Sequence, residues 1–488
     1  MKRNPAALAG QSFDLLIIGG GIVGAGIARD AALRGLRTAI VDQADWASGT
    51  SSRSSKLIHG GFRYLEQGAF HLVAEACRER AILRRIAPHL VKPLPFLFPV
   101  YQGGRRSLLT MRLGMTLYDL LALYRNTHPH QTLSADAALT AEPTLASDGL
   151  RGAIRFYDCQ EDDARLCVEN VLHAAALGAV CCNYCPVIAL ERAGQHIASI
   201  RLRDQLTGEE FVARANAVVN AAGPWVQRVA ELATDESGPT VRLSPTKGVH
   251  MLVPRLTREH AIAMQDRRDG RILFILPWHD CSLVGTTDTD FTGDPADARA
   301  TDADIAYLLD AISQATRSTV SRADILATFA GIRPLLAADA KRPSARSREH
   351  RIVQQADNFL SIAGGKYTTY RAMAQEAVDR VYRLLNRRPP ACRTAHEPIP
   401  PPPRETSGPT LCDNPQVFES DITRAARDEM ATSVADVMWR RTGLALSRCS
   451  GEPTARRVGS LLATELGWDP PAEFRSVRDY LQCRVFPV

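Results

Sequence analysis

The chain has 488 residues, of which 45% are hydrophobic and 23% are charged. This length suggests two to four domains with a sizeable core, and this composition is ordinary for a soluble globular protein. The formal net charge of +6 is compatible with an acidic substrate or an anionic membrane face. It is too small by itself to indicate a nucleic-acid partner, and we expect none.

Neither a signal peptide nor an apolar run of transmembrane length is visible, so we expect a cytoplasmic protein or one held on a membrane surface. The eleven cysteines are scattered. Cys181, Cys182 and Cys185 cluster, but they have no matching partners at zinc or iron–sulfur spacing. We therefore expect reduced thiols, no metal site and no intrinsic iron–sulfur relay.

The first elements are an apolar run at 13–18, a glycine turn at 19–24, a helix, a strand at 37–41 and then Asp42. This order is the dinucleotide-binding pattern in its required context. Gly19 permits the tight turn, Gly21 leaves room for a pyrophosphate, and Gly24 lets helix and strand pack closely. The helix N-terminus supplies N–H groups to phosphates, and the Asp42 carboxylate can accept hydrogen bonds from a ribose diol.

A Ser-rich loop at 48–56 follows, with hydroxyls and backbone donors suited to phosphates. The next segments predict a helix at 70–86, a proline-punctuated apolar stretch at 93–101 and an amphipathic stretch at 108–124. A further helix is predicted at 162–177, where Gly178 is suited to cap its C-terminus.

Two later strands also run into glycine turns, at Gly223 and at Gly364–Gly365. Short β-rich runs between 241 and 288 predict an antiparallel sheet, and a helix is predicted at 302–315. The carboxyl ends of parallel strands meet at one edge of a sheet, so the three glycine turns should converge there. Three converging backbone turns suit a two-part cofactor such as FAD better than a nicotinamide dinucleotide.

A proline-rich stretch at 387–410 predicts a domain boundary, and helices are expected beyond it at 422–441 and 455–466. We predict an α/β fold. Residues 12–386 form a Rossmann-like FAD-binding domain interleaved with an antiparallel-sheet cap, mainly at 70–150 and 240–330. Residues 387–410 form a linker, and residues 411–488 form a small all-α domain.

Several long strings, in order along nearly the whole chain, resemble the family of FAD-dependent glycerol-3-phosphate dehydrogenases. This family lies within the wider glycine oxidase and D-amino-acid oxidase superfamily. The strings lie at 50–65, 157–159, 162–166, 220–226, 247–250, 275–278, 285–288, 331–335, 364–371 and 438–442. Two departures are Val23, where relatives often carry Asn, and divergence of the C-terminal region after Thr442.

The resemblance implies FAD, bound non-covalently with the Ser-rich loop and His59 beside its ring. The cofactor contacts expected from the motif and the resemblance are Gly19, Gly21, Gly24, Asp42, Thr50, Ser51, Ser52, Ser55, Lys56, Leu57, His59, Gly60, Gly223, Trp225, Gly365, Lys366 and Thr368.

The resemblance also implies oxidation of sn-glycerol 3-phosphate to dihydroxyacetone phosphate by hydride transfer from C2 to the flavin. Arginine forks pair two phosphate oxygens at once, so Arg333 and Arg348 are expected to bind the phosphate, although a single arginine more often forms a surface ion pair. Lys366 and Thr287 are expected beside the substrate. The catalytic base is His59 or His250, assisted by Lys366.

Electrons are expected to pass to the quinone pool, with oxygen as the alternative acceptor. The apolar region 96–124, with Arg105, Arg106 and Arg112, can lie on the inner face of the cytoplasmic membrane or pack in the core. The sequence leaves open whether the protein forms a homodimer. Rival hypotheses are an amine or amino-acid oxidase of the superfamily and a flavin-binding partner protein without turnover.

Overall fold

The structure is a computed structural model that describes residues 1–61, 65, 68–123, 125–233, 241–337, 349–403, 405 and 408–484. The strands are β1 (Ser12–Ile18), β2 (Thr38–Val41), β3 (Leu57–Ile58), β4 (Lys92–Tyr101), β5 (Gln131–Ser134), β6 (Leu150–Gln160), β7 (Val180–Cys182), β8 (Val187–Ala193), β9 (His196–Arg203), β10 (Glu210–Asn220), β11 (Thr246–Pro254), β12 (Ala261–Gln265), β13 (Ile272–Trp278), β14 (Cys281–Gly285), β15 (Thr289–Asp290), β16 (Ala327–Arg333), β17 (His350–Ala356), β18 (Phe359–Gly364), β19 (Thr410–Asp413) and β20 (Gln416–Phe418). The helices are Ala6–Ala9, Ile22–Leu33, Phe70–Ile86, Leu108–Leu121, Ala135–Ala141, Asp163–Ala176, Val226–Glu231, Asp302–Ala315, Tyr370–Leu384, Glu419–Asp428, Val434–Asp436, Glu452–Leu466 and Pro470–Arg484.

The first sheet has the strand order β17-β18-β10-β1-β2-β7, and β9 and β8 extend it from β10. β1 is buried along its whole length after Ser12, as expected for a central parallel strand covered on both faces. It pairs in parallel with β2 and β10, and β10 pairs in parallel with β18. The helices Ile22–Leu33, Asp163–Ala176 and Tyr370–Leu384 contribute to the same hydrophobic core.

The three predicted glycine turns follow neighbouring parallel strands of this sheet. β1, β10 and β18 lie side by side, and each of them runs into one of the turns. Gly19, Gly223 and Gly364 have φ values of 111°, 54° and 78°, a region that favours glycine. The predicted convergence of the turns at one sheet edge is therefore confirmed.

The second sheet has the order β15-β11-β14-β13-β12-β4-β6-β3, with β16 on β11 and β5 on β6. Its pairs are antiparallel except for β4 and β12. Its strands come from before and after β10 in the chain, so the two sheets are interleaved in sequence. It reaches slightly beyond the predicted cap ranges, from Leu57 at one end to Arg333 at the other.

The C-terminal part is less purely helical than predicted. It opens with the hairpin β19–β20. The helix predicted at 422–441 ends at Asp428, because Met430 takes a positive φ of 56°, and the chain resumes with Val434–Asp436 and a π-helical turn, Val437–Arg441.

One disulfide corrects the expectation of reduced thiols for two of the cysteines. Cys412 on β19 is bonded to Cys449. Their Cα atoms lie 6.0 Å apart, within the range that a disulfide spans. The two residues are 37 positions apart in sequence, and only the packing of the hairpin against the loop before Glu452–Leu466 brings them together.

The proline-rich stretch has no helix or strand in its described residues before β19, but it is packed against the first domain. Ile399 is 1% exposed and its N–H donates to the carbonyl of Ile86 at 2.7 Å. Arg34 donates to the carbonyl of Pro390 at 3.2 Å. This stretch therefore fixes the C-terminal part to the first sheet's core.

The segment expected either on a membrane or in the core divides into two parts. Phe96, Leu97 and Phe98 on β4 are at most 4% exposed, so the membrane alternative is wrong for this strand. The helix Leu108–Leu121 instead presents a row of exposed leucines, Leu109, Leu113, Leu117 and Leu120, while its opposite face is buried. Tyr124 lies outside the described residues. Among the helices of the described ranges, we find none with the length and apolar character needed to cross a membrane.

Candidate active site

A cavity of about 300 Å³ lies at the edge where the glycine turns meet, and β11 and β16 of the second sheet contribute to its wall. The predicted site residues that line it are Gly19, Gly21, Asp42, Thr50, Ser51, Ser55, Leu57, His59, Gly223, Trp225, His250, Arg333, Gly365, Lys366 and Thr368. The structure thus brings together residues from both ends of the first domain.

The glycine turn after β1 is shaped for a diphosphate. A Cβ at Gly24 would lie 1.8 Å from the carbonyl oxygen of Gly19, so the helix could not start so close to the strand with any other residue. A Cβ at Gly21 would meet only the Ser51 hydroxyl, at 3.2 Å, which leaves the cavity side of the turn open. Ser51 Oγ accepts a hydrogen bond from Ile22 N at 2.9 Å, beside the helix N-terminus that favours anions.

Asp42 borders the same cavity, but its oxygens already accept backbone hydrogen bonds. Gly20 N donates to Oδ2 at 2.6 Å and Ala44 N donates to Oδ1 at 2.8 Å. Burial among the surrounding chain raises the pKa of Asp42 to about 7. These bonds orient the carboxylate, and its contact with a ribose stays a prediction.

The Ser-rich loop is anchored by Asp163 at the start of Asp163–Ala176. Asp163 Oδ2 accepts hydrogen bonds from Ser54 N at 3.0 Å and from Ser54 Oγ at 2.7 Å, and Asp163 Oδ1 pairs with Lys56 Nζ. Lys56 Nζ also donates to the carbonyl of Ser52 at 2.9 Å. Lys56 is not among the residues that line the cavity, and its ammonium group is engaged by Asp163 and Ser52. Its contact with the cofactor stays a prediction.

Three other predicted contacts also lie outside the cavity wall. Ser52 is buried in the loop, and Gly24 supports packing instead. Gly60 donates its N–H to Asp158 Oδ1 at 3.0 Å, and a Cβ there would lie 2.1 Å from the Tyr118 hydroxyl. These residues shape the loop from behind.

Arg333 reaches the cavity from the end of β16. Its guanidinium donates to Asp288 Oδ1 at 3.1 Å, to Thr286 Oγ1 at 3.0 Å and to the carbonyl of Thr287 at 3.2 Å. A Cβ at Gly248 would lie 2.4 Å from Nη2, so glycine is needed where the guanidinium crosses β11. Thr287 does not line the cavity, and its hydroxyl accepts from Val249 N at 3.0 Å.

A second arginine, Arg53, lines the same cavity and was missed as a site residue. Its Nη1 donates to the carbonyl of Ala330 at 3.4 Å, and a Cβ at Gly331 would lie 2.6 Å from its carbonyl oxygen. Burial lowers the pKa of Arg53 to about 10, so the group is still a cation at neutral pH. The sequence feature that could have identified Arg53 as a site residue is its position between Ser52 and Ser54 in the string at 50–65. Arg348, predicted as the second phosphate ligand, lies outside the described residues.

His250 is held in the cavity wall. Its Nε2 is 2.9 Å from Ser55 Oγ, and its ring stacks on Phe329 with centroids 4.9 Å apart. Its Nδ1 is enclosed and has no hydrogen-bond partner among the described residues. Burial, together with the charges of Arg333 and Lys56, holds the pKa of His250 well below its usual value, so the ring is neutral at physiological pH.

His59 and Lys366 also line the cavity. The Thr368 hydroxyl donates to the carbonyl of His59 at 3.3 Å, which joins the two loops. Lys366 immediately follows Gly364 and Gly365 and precedes the 3-10 turn Tyr367–Thr369. At the other end, Trp225 Nε1 donates to Asp294 at 3.1 Å, a bond between the two interleaved units.

The parallel sheet, its glycine turn and the cavity lined by residues of both sheets are typical of a dinucleotide-binding protein. The sequence matches the family model described as "FAD dependent oxidoreductase" over residues 14–380, and a model described as "C-terminal domain of alpha-glycerophosphate oxidase" over residues 391–473. The chain therefore belongs to the FAD-dependent oxidoreductase family, on the branch that contains the glycerol-3-phosphate dehydrogenases and oxidases.

Two curated relatives show the degree of similarity. The chain is 43% identical over 371 residues to the glycerol-3-phosphate dehydrogenase of Mycobacterium leprae (strain TN), covering 76% of this chain and 63% of the relative. It is 39% identical over 407 residues to the aerobic glycerol-3-phosphate dehydrogenase of Staphylococcus haemolyticus (strain JCSC1435), covering 82% and 72%. The match thus spans less than two thirds of the length of the mycobacterial relative.

A solved structure shows the same fold. The glycerol-3-phosphate dehydrogenase from Bacillus halodurans complexed with FAD superposes with a TM-score of 0.78 at 27% identity, covering 98% of this chain and 95% of that chain. The predicted family resemblance, the predicted α/β fold and FAD as cofactor are confirmed. The glycine turn, the Ser-rich loop and Asp42 are the residues that would hold FAD.

Proposed function

We propose that this protein oxidises sn-glycerol 3-phosphate to dihydroxyacetone phosphate in the cavity described above and that its electrons pass to a quinone. The names of the relatives support this substrate class. The domain ranges 12–386, 387–410 and 411–488 are part of the same proposal.

The observation that carries the proposal is that Arg53 and Arg333 line one cavity together with Lys366. Guanidinium groups bind phosphate oxygens in pairs and stay charged at neutral pH. Arg333 is already oriented by Asp288 and Thr286, so little ordering is left for substrate binding. Such a pocket binds a phosphomonoester through paired, charge-assisted hydrogen bonds, which the unphosphorylated alcohol cannot form.

FAD, when bound, supplies the hydride acceptor for the C2–H of the substrate. The chain's own part in the chemistry is to bind, orient and deprotonate. Lys366 favours negative charge that develops on the oxygen at C2. Both histidines line the cavity, and we assign the hydroxyl proton to His59, since His250 has one ring nitrogen bonded to Ser55 and the other enclosed. His250 then serves to hold Ser55 and the adjacent loop.

The acceptor part of the proposal rests on the helix Leu108–Leu121. Its exposed leucines form one stripe, and the exposed Arg105 and Arg112 lie beside it. An apolar stripe with basic neighbours suits the interface of an anionic bilayer, where a quinone is dissolved. We therefore propose a peripheral location on the inner face of the cytoplasmic membrane. Oxygen is the alternative acceptor.

Anaerobic flavin reduction tests the substrate. Purified holoenzyme is titrated with sn-glycerol 3-phosphate, with glycerol and with a panel of amino acids, and flavin absorbance is followed. We expect bleaching by the phosphate ester alone. Bleaching by an amino acid would support the amine or amino-acid oxidase hypothesis, and yellow protein that no substrate bleaches would support a binding protein without turnover. Reoxidation by a soluble quinone faster than by air would support the quinone as acceptor.

A further inference from the structure

The loop that follows β2, residues 42–47, holds the glycine turn from behind. Asp42 accepts the hydrogen bond from Gly20 N at 2.6 Å, and Ala47 N donates to the carbonyl of Gly20 at 3.0 Å. The Trp46 ring packs so closely that a Cβ at Gly20 would lie 2.3 Å from it. Gly20 is thus held on both sides, and the positions of the diphosphate turn and of Asp42 depend on where this loop lies.

Asp45, in the middle of this loop, is bound by two arginines from the C-terminal part of the chain. Arg441 makes a paired contact, with Nη1 2.8 Å from Oδ2 and Nη2 2.8 Å from Oδ1. Arg440 Nε donates to Oδ2 at 2.6 Å, and Asn183 Nδ2 donates to Oδ1 at 2.9 Å. The side chain of Asp45 is 0% exposed and that of Arg441 is 1% exposed. Loss of one partner of such a pair leaves a buried charge uncompensated, which moves the loop or admits water.

The two arginines are themselves held firmly. Arg441 Nη2 donates to the carbonyl of Glu429 at 2.8 Å, and Arg440 pairs with Asp436, which directly precedes the π-helical turn. The Tyr184 hydroxyl also donates to Asp436, at 2.6 Å. The Met438–Thr442 string therefore acts as one rigid piece that reaches Asp45.

We propose that Arg441, with Arg440, is a positioning residue for the adenosine half of FAD, so that the C-terminal part sets how tightly the cofactor is held. In this fold the acidic residue after the second strand lies at the adenosine ribose, which puts Asp42 and its loop at that half of the cofactor. Arg441 touches neither cofactor nor substrate and acts through Asp45. The proposal concerns cofactor retention and does not depend on which substrate is oxidised.

The test is the rate at which holoenzyme releases FAD, measured well below the melting temperature by the rise in flavin fluorescence on dilution. We expect Arg441→Met and Asp45→Asn to release FAD at least about tenfold faster than the unchanged protein, because each removes the paired contact that holds a buried charge. Arg441→Lys keeps the charge but loses the paired geometry, so its FAD release rate should lie between that of the unchanged protein and that of Arg441→Met. The double variant that combines Arg441→Met with Asp45→Asn should release FAD more slowly than either single variant. The dissociation constant of ADP for the FAD-free protein should rise with the release rate, since ADP carries only the adenosine half.

Two controls separate positioning from general destabilisation. Arg427→Met removes an exposed arginine that pairs with Glu465 within the C-terminal part, and it should release FAD at the unchanged rate. Leu462→Ala opens the C-terminal core and lowers the melting temperature, again with unchanged release. Release from Arg441→Lys and Asp45→Asn within twofold of the unchanged protein, or release that merely follows melting temperature across all variants, overturns the proposal.

A measurement on the unchanged protein decides the matter if the variants do not fold. Coupling between two sites is reciprocal, so cofactor binding must stabilise the turn that holds Asp45. Added FAD should slow hydrogen exchange in residues 437–441 but not in the helix Pro470–Arg484. Equal exchange in 437–441 with and without FAD overturns the proposal.

Discussion

At the scale of single residues, the site is defined by how its cations are held. Arg333 donates three hydrogen bonds to chain oxygens, and Gly248 gives its guanidinium room. Lys56 belongs to the same set of strings, but its ammonium group forms an ion pair with Asp163. The difference decides which cation meets the substrate, since only a group that borders the cavity can exchange its partners for a phosphate.

The first prediction concerns Arg333. Arg333→Lys keeps the charge but removes the planar fork, so KM for sn-glycerol 3-phosphate should rise about 10- to 100-fold while flavin content is unchanged. Steady-state kinetics and the flavin absorbance of the purified variant measure both. Arg322→Lys, at an exposed arginine paired with Asp302, is the matched control. Loss of flavin with unchanged KM would contradict the assignment.

The second prediction separates the two histidines. His59→Gln should lower kcat by about 10²- to 10⁴-fold, the usual contribution of a general base, with little change in KM. His250→Gln should act more weakly, because its Nε2 is bonded to Ser55 and its Nδ1 is enclosed. Rapid anaerobic flavin reduction measures the chemical step directly. The opposite order of effects would make His250 the base.

At the scale of elements, the helix Leu108–Leu121 has two apolar faces, one buried in the core and one exposed to solvent. Met111, Met115 and Tyr118 belong to the core of the second sheet, so they account for the fold. Leu109 and Leu113 on the other face are 65% and 64% exposed. A contiguous exposed apolar stripe on a protein surface marks an interaction site, and its basic neighbours favour an anionic lipid surface.

The third prediction tests this surface. The double variant Leu109→Ser and Leu113→Ser should bind anionic phospholipid vesicles at least about tenfold more weakly, because each leucine contributes on the order of 1 kcal/mol or more when it enters the interface. Its thermal stability should stay unchanged, since both side chains are exposed. Leu206→Ser, at an exposed leucine elsewhere, is the matched control. Equal sedimentation of all three proteins with vesicles would refute the lipid contact.

At the scale of the whole molecule, buried ion pairs join the C-terminal part to the first sheet's core. Arg165 pairs with Glu429, and Arg441 pairs with Asp45. Although burial opposes ionisation, the neighbouring arginines lower the pKa of Glu429 and that of Asp45 to about 2. A carboxylate whose pKa is lower in the folded than in the unfolded chain stabilises the fold above its unfolded pKa and loses that contribution as pH falls.

The fourth prediction follows from that sign. The difference in urea midpoint between the unchanged protein and Glu429→Gln should be largest near pH 6, where the carboxylate is fully charged. It should shrink between about pH 4.5 and pH 2, as Glu429 is protonated in the unfolded and then in the folded chain. Glu465→Gln, which removes the partner of the exposed Arg427, should show little difference at any pH. A constant difference down to pH 2 would contradict the pKa assignment.

Much of the fold is readable from local pattern. The predicted helices 70–86 and 302–315 match Phe70–Ile86 and Asp302–Ala315, because apolar spacing and end signals act within a few residues. The predicted helix 422–441 is interrupted at Met430, which takes a positive φ, and beyond it Arg441 contacts Asp45 and the carbonyl of Glu429. Tertiary contacts overrode helix periodicity there.

The sequence by itself determined the dinucleotide turn, the convergence of three glycine turns and the family, because glycine positions and long strings carry that information locally. Only the tertiary structure decided that Lys56 pairs with Asp163 while Arg53 borders the cavity, that Cys412 meets Cys449, and that Asp45 meets an arginine 396 residues later in the chain. Each of these depends on which distant groups share a buried space. A buried charge without a partner is costly, and sequence spacing does not encode which distant group will supply that partner.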